Sequence, residues 1–422
     1  MIRLLNALSV FAALSLTSQT TFATVLPSSS VAPINPYLAT LSVRLLKASS
    51  KPKFYPLAGL PGRTSLPVFG DKAKLDFAFF AGATPTSPLV FVVPGLGGST
   101  SDGSAQYVAD LIKHAGYNVA VVANPFSWKF VLARSVDAVP GYVPDEAQQL
   151  AFMLNDVRTK LAANGVRPTS VSAVGYSLGA IHLGYLEMAE KAGTLKNPVG
   201  LKRVVMINPP LDMTFALSQL DRLEQARDHF SKNQRDYIWG NIYSKADLIT
   251  APTKGQDLVA FLEGAIKTLN VSPAQAAFLI GESFRLSLAD LLVASQTVHD
   301  RGLLKQPLSE YHRNARMLEA SGILYGTYMN EFMMPFWQKK KSTNFVANDF
   351  VAQASLVKFT AKLAQISEFR LIHNADDFLT SPKDLAAVDA ALGQRSMIFP
   401  YGGHVGNLWA PNVQRAIIGS LR

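Results

Sequence analysis

The chain has 422 residues, 48% of them hydrophobic and 17% charged, the composition of a globular protein with enough apolar residues to bury a large core. It contains no cysteine, which excludes a disulfide framework, a thiolate metal site and a lipid-modified N-terminal cysteine. The formal net charge is +10, and Arg3, Arg44, Lys47, Lys51, Lys53 and Arg63 all precede the first acidic residue, Asp71; without interleaved aromatics in a recognisable module, this basic arm does not make a nucleic-acid-binding protein, and no nucleic-acid partner is expected.

Met1-Ile2-Arg3, the apolar run Leu4 to Leu16 and the small polar stretch Thr17 to Ala23 have the order of a secretory signal. The expectation is residues 1–23 as a cleaved signal peptide, with the mature protein exported to a periplasm or secreted; an uncleaved anchor is the other reading. Pro27 to Pro36 reads as a linker within a basic arm, residues 24–72. In that arm Tyr37 to Ala48 predicts a helix with Leu38, Leu41 and Leu45 on one face. Such a helix either makes peripheral contact with an anionic membrane surface or packs on the body of the protein.

From Lys74 onward, strand-like runs alternate with helical ones. Strands are predicted at Lys74–Ala81, Leu89–Val93, Tyr117–Ala123, Ser170–Val174, Lys202–Ile207, Phe369–His373 and Ser396–Phe399. Helices are predicted at Ala105–Ala115, Asp145–Ala163, Leu178–Ala192, Pro382–Leu392 and Val405–Leu421. The pattern is that of an α/β protein with a mostly parallel central sheet and helices on both faces. It is interrupted by residues 208–368, which read as helices without a convincing strand: Met213–Phe230, Gln256–Leu269, Pro273–Thr297 and Ser309–Ser321. A core of residues 73–207 and 369–422 is thus expected to carry a large helical insertion.

The motif that points to chemistry is Gly175-Tyr176-Ser177-Leu178-Gly179, between the apolar run ending at Val174 and the helix from Leu178. A strand, a sharp turn and a helix with serine at the apex form a nucleophile elbow, in which both glycines relieve crowding. A serine hydroxyl needs a base, and the base needs an orienting group. Of the seven histidines, His404 follows the last strand within Gly402-Gly403-His404-Val405-Gly406. His114, His182, His229, His299 and His312 lie in helical patterns and read as structural; His373 reads as a support for the loop behind it. Asp376 and Asp377 follow the preceding strand, and Asp377, with its apolar-then-proline trail, is favoured as the orienting acid. Asp212 is a third option that reads better as a helix cap. Oxyanion donors are expected at the backbone N–H groups of Leu178 and of Leu96 in Pro94-Gly95-Leu96-Gly97-Gly98. That glycine loop lacks the lysine of a phosphate-binding loop.

Glycine loop, serine elbow, aspartate and histidine come in an order that resembles the α/β-hydrolase superfamily, from about Ala73 to Arg422. The resemblance implies the α/β-hydrolase fold, Ser177 as nucleophile, His404 as general base and acid, Asp377 as its orienter, and a helical cap after the sixth strand. Two departures stand out: Pro94 replaces the usual histidine of the oxyanion loop, and Phe378 stands where proline is common. The aromatic and methionine-rich segment Tyr325, Tyr328, Phe332, Met333, Met334, Phe336 and Trp337 reads either as the wall of an acyl pocket or as the cap's own core, and Lys339-Lys340-Lys341 as a solvated loop. The resulting expectation is an exported serine esterase or lipase-like enzyme, acting on a small-molecule or lipid-like ester through an acyl-enzyme, with no metal and no cofactor. The alternatives are an acyltransferase on the same triad and a catalytically idle envelope binding protein.

Overall fold

The computed structural model describes residues 34–63, 74–246, 264, 267–341, 350 and 352–422. The expected signal peptide, most of the linker and most of the expected helix at Gln256–Leu269 lie outside these described residues.

Eight strands form one sheet: β1 (Lys53–Leu57), β2 (Leu75–Phe80), β3 (Leu89–Val93), β4 (Asn118–Val121), β5 (Val171–Tyr176), β6 (Val204–Ile207), β7 (Phe369–Asn374) and β8 (Ser396–Phe399). Their spatial order is β1-β2-β4-β3-β5-β6-β7-β8. The two pairings made by β2 are antiparallel and all the others parallel. The central strands are buried on both sides, which is why Leu89-Val-Phe-Val-Val93 is apolar at every position rather than at alternate ones. Leu89, Phe91 and Val93 join the core on one face, while Val90 and Val92 join the core on the other.

The helices α1 (Pro36–Ser42), α2 (Gly103–His114), α3 (Trp128–Ala133), α4 (Val143–Ala163) and α5 (Leu178–Lys191) precede β6. Between β6 and β7 come α6 (Met213–Gln225), α7 (Lys232–Ala246), α8 (Pro273–Val298), α9 (Arg313–Ala320), α10 (Met334–Lys341) and α11 (Thr360–Gln365). After β7 come α12 (Pro382–Leu392) and α13 (Pro411–Ser420). One side of the sheet is covered by Leu150, Leu154 and Val157 of α4, Ile181 and Leu183 of α5, and Leu385 and Val388 of α12. The other is covered by Val108 and Ile112 of α2 and Val413 and Ile417 of α13. Each such side chain contributes about 1.5–3 kcal/mol on burial.

Several expectations need correction. The sequence reading passed over β1, a strand with Tyr55 as its one buried residue and with Pro56 in its run. It also passed over α3, capped by the Ser127 side chain, and over α7. The last helix begins at Pro411 rather than Val405, because Gly402, Gly403 and Val405 all have positive φ and cannot continue a helix. Lys339 to Lys341 end α10 instead of forming a loop; Lys340 pairs with Asp137, and Lys341 lies over the rings of Tyr142 and Trp337. The arm helix is shorter than expected, running from Pro36 to Ser42 with a further 3-10 turn over Val43–Leu45. No helix among the described residues is long and apolar enough to cross a membrane.

The helices between β6 and β7 are tied to the sheet by polar groups as well as by apolar packing. Three successive carbonyls of the loop before α4 accept from that region: Ala138 from Ser295 Oγ at 2.5 Å, Val139 from Trp337 Nε1 at 3.0 Å and Pro140 from Tyr328 Oη at 2.7 Å. Gly141 N–H then donates to Glu146 Oε1 at 2.8 Å, and Glu146 Oε2 meets His182 Nε2 at 2.9 Å on α5. His182 is therefore a buried strut of the elbow helix.

Candidate active site

The elbow is set by sterics. Ser177 sits at φ 54°, ψ −130°, a sparsely populated region for a residue with a Cβ, at a cost of about 1–3 kcal/mol. A Cβ on Gly175 would lie 2.6 Å from the Gly179 carbonyl, and one on Gly179 would collide with the carbonyl oxygens of Val93 and Pro94. Only glycine at both positions lets α5 leave β5 so sharply. The strain is held by the Ser177 N–H, which donates to the Ile207 carbonyl at 2.9 Å.

Three side chains converge on that apex. Ser177 Oγ lies 2.8 Å from His404 Nε2, and His404 Nδ1 lies 2.9 and 3.1 Å from the two oxygens of Asp377. A carboxylate facing Nδ1 assigns the imidazole proton to that nitrogen, which leaves Nε2 free to accept from the serine hydroxyl. Ser177, His404 and Asp377 are all nearly inaccessible, at 6%, 4% and 4%, so their interactions are little screened by water.

Burial pushes the Asp377 carboxyl up, but the facing charges of His404 and His373 and the donors His404 Nδ1–H and Leu379 N–H outweigh it and hold the group below the usual carboxylate range. Asn208 adds a further donor, Nδ2 to Asp377 Oδ2 at 2.8 Å. Asp376 does something different. It accepts from Gly402 N–H at 3.2 Å and from Gly403 N–H at 2.8 Å, bracing the loop that carries His404. Burial, reinforced by the neighbouring Asp377, pushes its carboxyl up to about 6 despite those two donors. Of the two adjacent aspartates, Asp377 faces the histidine and Asp376 faces the backbone. Asp212 caps α6, accepting from Thr214 and Phe215 N–H. His373 is buried between the carbonyls of Asn374 and Pro209, and burial lowers its pKa.

The glycine loop after β3 runs directly over the serine: a Cβ on Gly95 would lie 3.0 Å from Ser177 Cβ. Gly97 N–H is bound to the Phe126 carbonyl and Gly98 N–H to that of Gly95, at 3.0 Å each. The N–H groups of Leu96 and Leu178 have no acceptor among the described residues. Two free amides beside a serine hydroxyl suit an oxygen that gains negative charge. Asn124, buried after β4, fixes this loop by donating from Nδ2 to the Pro94 carbonyl at 2.7 Å and from its backbone N–H to the Gly98 carbonyl at 3.0 Å.

Sequence reasoning missed three side chains: Asn124, Asn208 and Asn374. Asn374 Nδ2 donates to the Gly403 carbonyl at 2.8 Å and also meets Asn208 Oδ1 and Asn407 Oδ1. The available signal was an asparagine directly after a strand, a residue that tolerates positive φ; Asn208 has φ 44°.

With nucleophile elbow, acid and histidine in that chain order, each following a strand of a mostly parallel sheet, the architecture is decided. The chain has the α/β-hydrolase fold.

Two spaces open at the site. A cleft is lined by Ser177, His404, Leu96, Arg44, Phe284 and Ile280 among others. A second, narrower space is lined by Leu96, Leu178, Leu217, Tyr328, Met333 and Ala354 among others. Leu96 borders both, so they flank the Ser177–Leu178 step from two sides. In the aromatic and methionine-rich segment, Tyr325, Tyr328, Met333 and Trp337 are buried in the core, and Tyr325, Tyr328, Met329 and Met333 also wall the second space.

No family model matches the chain. Over 163 residues it is 28% identical to the cell division protein FtsZ of Buchnera aphidicola, covering 37% of this chain and 38% of that protein; the chain thus spans well under half the length of that curated relative. Among solved structures it is similar to a membrane phospholipase A described as a bacterial virulence factor, at 14% identity and TM-score 0.41, covering 91% of each chain. It is similar also to esterase B of Lactobacillus rhamnosis, at 11% identity and TM-score 0.42, covering 91% of this chain and 88% of that one. A thioesterase domain from the curacin biosynthetic pathway shows 12% identity and TM-score 0.38, over 88% of this chain and 99% of that one. Similarities this low say nothing of substrate.

Proposed function

We propose that this protein is a serine hydrolase that cleaves carboxylic esters through an acyl-enzyme. The observation that carries the reading is the unbroken line Ser177 Oγ, His404 Nε2, His404 Nδ1, Asp377 at 2.8 and 2.9 Å, with two free amides beside it. Ser177 attacks the ester carbonyl as its proton passes to His404 Nε2. Asp377 keeps the proton on Nδ1 and stabilises the imidazolium. The amides of Leu96 and Leu178 take the oxyanion, and His404 returns the proton to the leaving alcohol. Water, activated by the same histidine, then releases the acid and regenerates Ser177.

The second space sets the acyl side. Its lining is apolar apart from Glu146, whose carboxylate is already engaged by Gly141 N–H and His182, so an apolar acyl chain fits it and a charged one does not. The alcohol side faces the more open cleft. The helices between β6 and β7 act as a cap in this reading, and the signal-like order of residues 1–23 supports an exported protein. Hydrolysis of p-nitrophenyl esters of graded acyl length by purified protein is the test. Turnover of apolar acyl esters that Ser177→Ala reduces at least about 10⁴-fold is expected; equal turnover by wild type and Ser177→Ala contradicts the proposal.

A further inference from the structure

The loop that carries His404 is held by the N-terminal arm. Thr40 on α1 accepts the His404 backbone N–H on its Oγ1 at 2.8 Å, while the same hydroxyl donates to the Pro36 carbonyl at 2.8 Å. The hydroxyl is thereby oriented with its lone pairs toward His404. Two residues on, Ser42 Oγ reaches the Gly406 carbonyl at 3.5 Å. The backbones are equally close. A Cβ on Gly403 would lie 2.7 Å from Thr40 Oγ1 and collide with the Pro36 carbonyl, and a Cβ on Gly406 would collide with the Ala39 backbone. At Gly403 and Gly406 the close approach of α1 therefore leaves no room for a Cβ. The buried face of α1 is Ala39, Thr40 and Ser42, the face of small residues and not the leucine face; Tyr37 packs against Phe378 with ring centres 5.0 Å apart and planes tilted by 46°, and Phe378 in turn lies beside the His404 ring.

Together with Asp376 on Gly402 and Gly403, this leaves three consecutive amides, 402 to 404, each bound by a side-chain oxygen. Asp376 comes from the turn directly after β7. Thr40 comes from a segment more than three hundred residues away in sequence, outside the stretch that resembles a hydrolase core. Val405, at φ 64°, puts a β-branched residue in the left-handed region beside His404, and such a conformation persists only where its surroundings over-determine it.

We infer that the arm helix α1 is a working part of the active site, with Thr40 as the positioning residue for the general base His404. The Thr40 hydroxyl is bonded to the Pro36 carbonyl and the His404 N–H and not to Ser177; it acts by fixing the backbone from which the imidazole reaches Ser177 Oγ. The inference rests on the hydrolase reading, and its test separates the two.

Thr40→Val keeps the side chain's shape and removes the acceptor; Thr40→Ser restores it. In the full chain, with the p-nitrophenyl esters above, Thr40→Val is expected to lower kcat about ten- to a hundredfold with KM nearly unchanged, as for a catalytic group displaced by less than 1 Å. Thr40→Ser should recover activity to within about threefold of wild type. Fluorophosphonate labelling of Ser177 should slow in the same ratio. Kinetics of Thr40→Val equal to wild type, or a loss that Thr40→Ser does not recover, overturns the inference. Should Thr40→Val fail to fold, Thr40→Ala against Thr40→Ser makes the same comparison. A wild type that neither turns over esters nor reacts with the fluorophosphonate refutes the hydrolase reading instead, and the inference with it.

Discussion

Adjacent aspartates with the same chemistry do opposite things here, and the difference is geometric. Asp377 faces the His404 imidazole, which gains charge in the proposed reaction, whereas Asp376 faces two backbone amides. Asp377→Asn places an amide against His404 Nδ1 and favours the wrong tautomer; kcat should fall by about 10⁴ with the fold intact. Asp376→Asn keeps one acceptor for Gly402 and Gly403, and its kcat should fall less than about tenfold. Stability separates the two further. The folded protein retains the Asp376 proton up to about pH 6, whereas the unfolded chain releases it near the ordinary value of 3.8. Between those values the native state binds more protons, so this group costs stability as pH rises from about 4 to 6. Urea unfolding at pH 4.5 and 6.5 should show that Asp376→Asn removes this loss. The sign is opposite for Asp377, held below its ordinary value, whose contribution is present at neutral pH and is lost only as pH falls below about 4. The sequence favoured Asp377 because of the apolar-then-proline trail behind it, but nothing in the chain order announced what Asp376 does. The role of Thr40 was also hidden, since a contact across 364 positions leaves no local periodicity.

At the scale of elements, β3 and β6 were legible because they are buried on both faces and written in unbroken apolar runs, and β5 and β7 because polar residues interrupt their apolar runs at only a few positions. The elbow was legible for a steric reason, its two glycines being demanded by the Val93, Pro94 and Gly179 backbones. Strand β1 was not, because an edge strand buries one residue in five and carries lysine and proline. Residues 405 to 410 mimicked a helix through apolar spacing alone, although Pro411 at the first helical position marked the true start. Between β6 and β7, α6, α8 and α9 were read as helices and α7 was not, and which residues form walls depends on tertiary placement: the π-helical turn at Tyr328–Met333 aims Tyr328, Met329 and Met333 at the second space. Ala354, 5% exposed, lines that space opposite them. Ala354→Phe should fill part of it, shift the preferred acyl length downward by several carbons and cost about 1–3 kcal/mol of stability. The kcat/KM profile over the graded ester series checks this; an unchanged length preference would place the acyl chain in the open cleft instead.

For the whole molecule, four distant parts of the chain meet at one point: the arm at Thr40, the glycine loop at Leu96, the elbow at Ser177 and the C-terminal loop at His404. The sheet sets three of them by ending its parallel strands on one edge, the general location of sites in such folds. The fourth arrives through α1, which also packs on α8 of the cap. Base, cleft and cap are therefore mechanically joined through a helix of seven residues. The central claim is that Ser177 is activated by this assembly. Intact-mass and peptide analysis after treatment with a fluorophosphonate tests it most directly. One adduct per chain on the peptide bearing Ser177, lost in Ser177→Ala and greatly slowed in His404→Ala, is the predicted result; no adduct on Ser177, or an adduct that forms as fast without His404, would contradict the account.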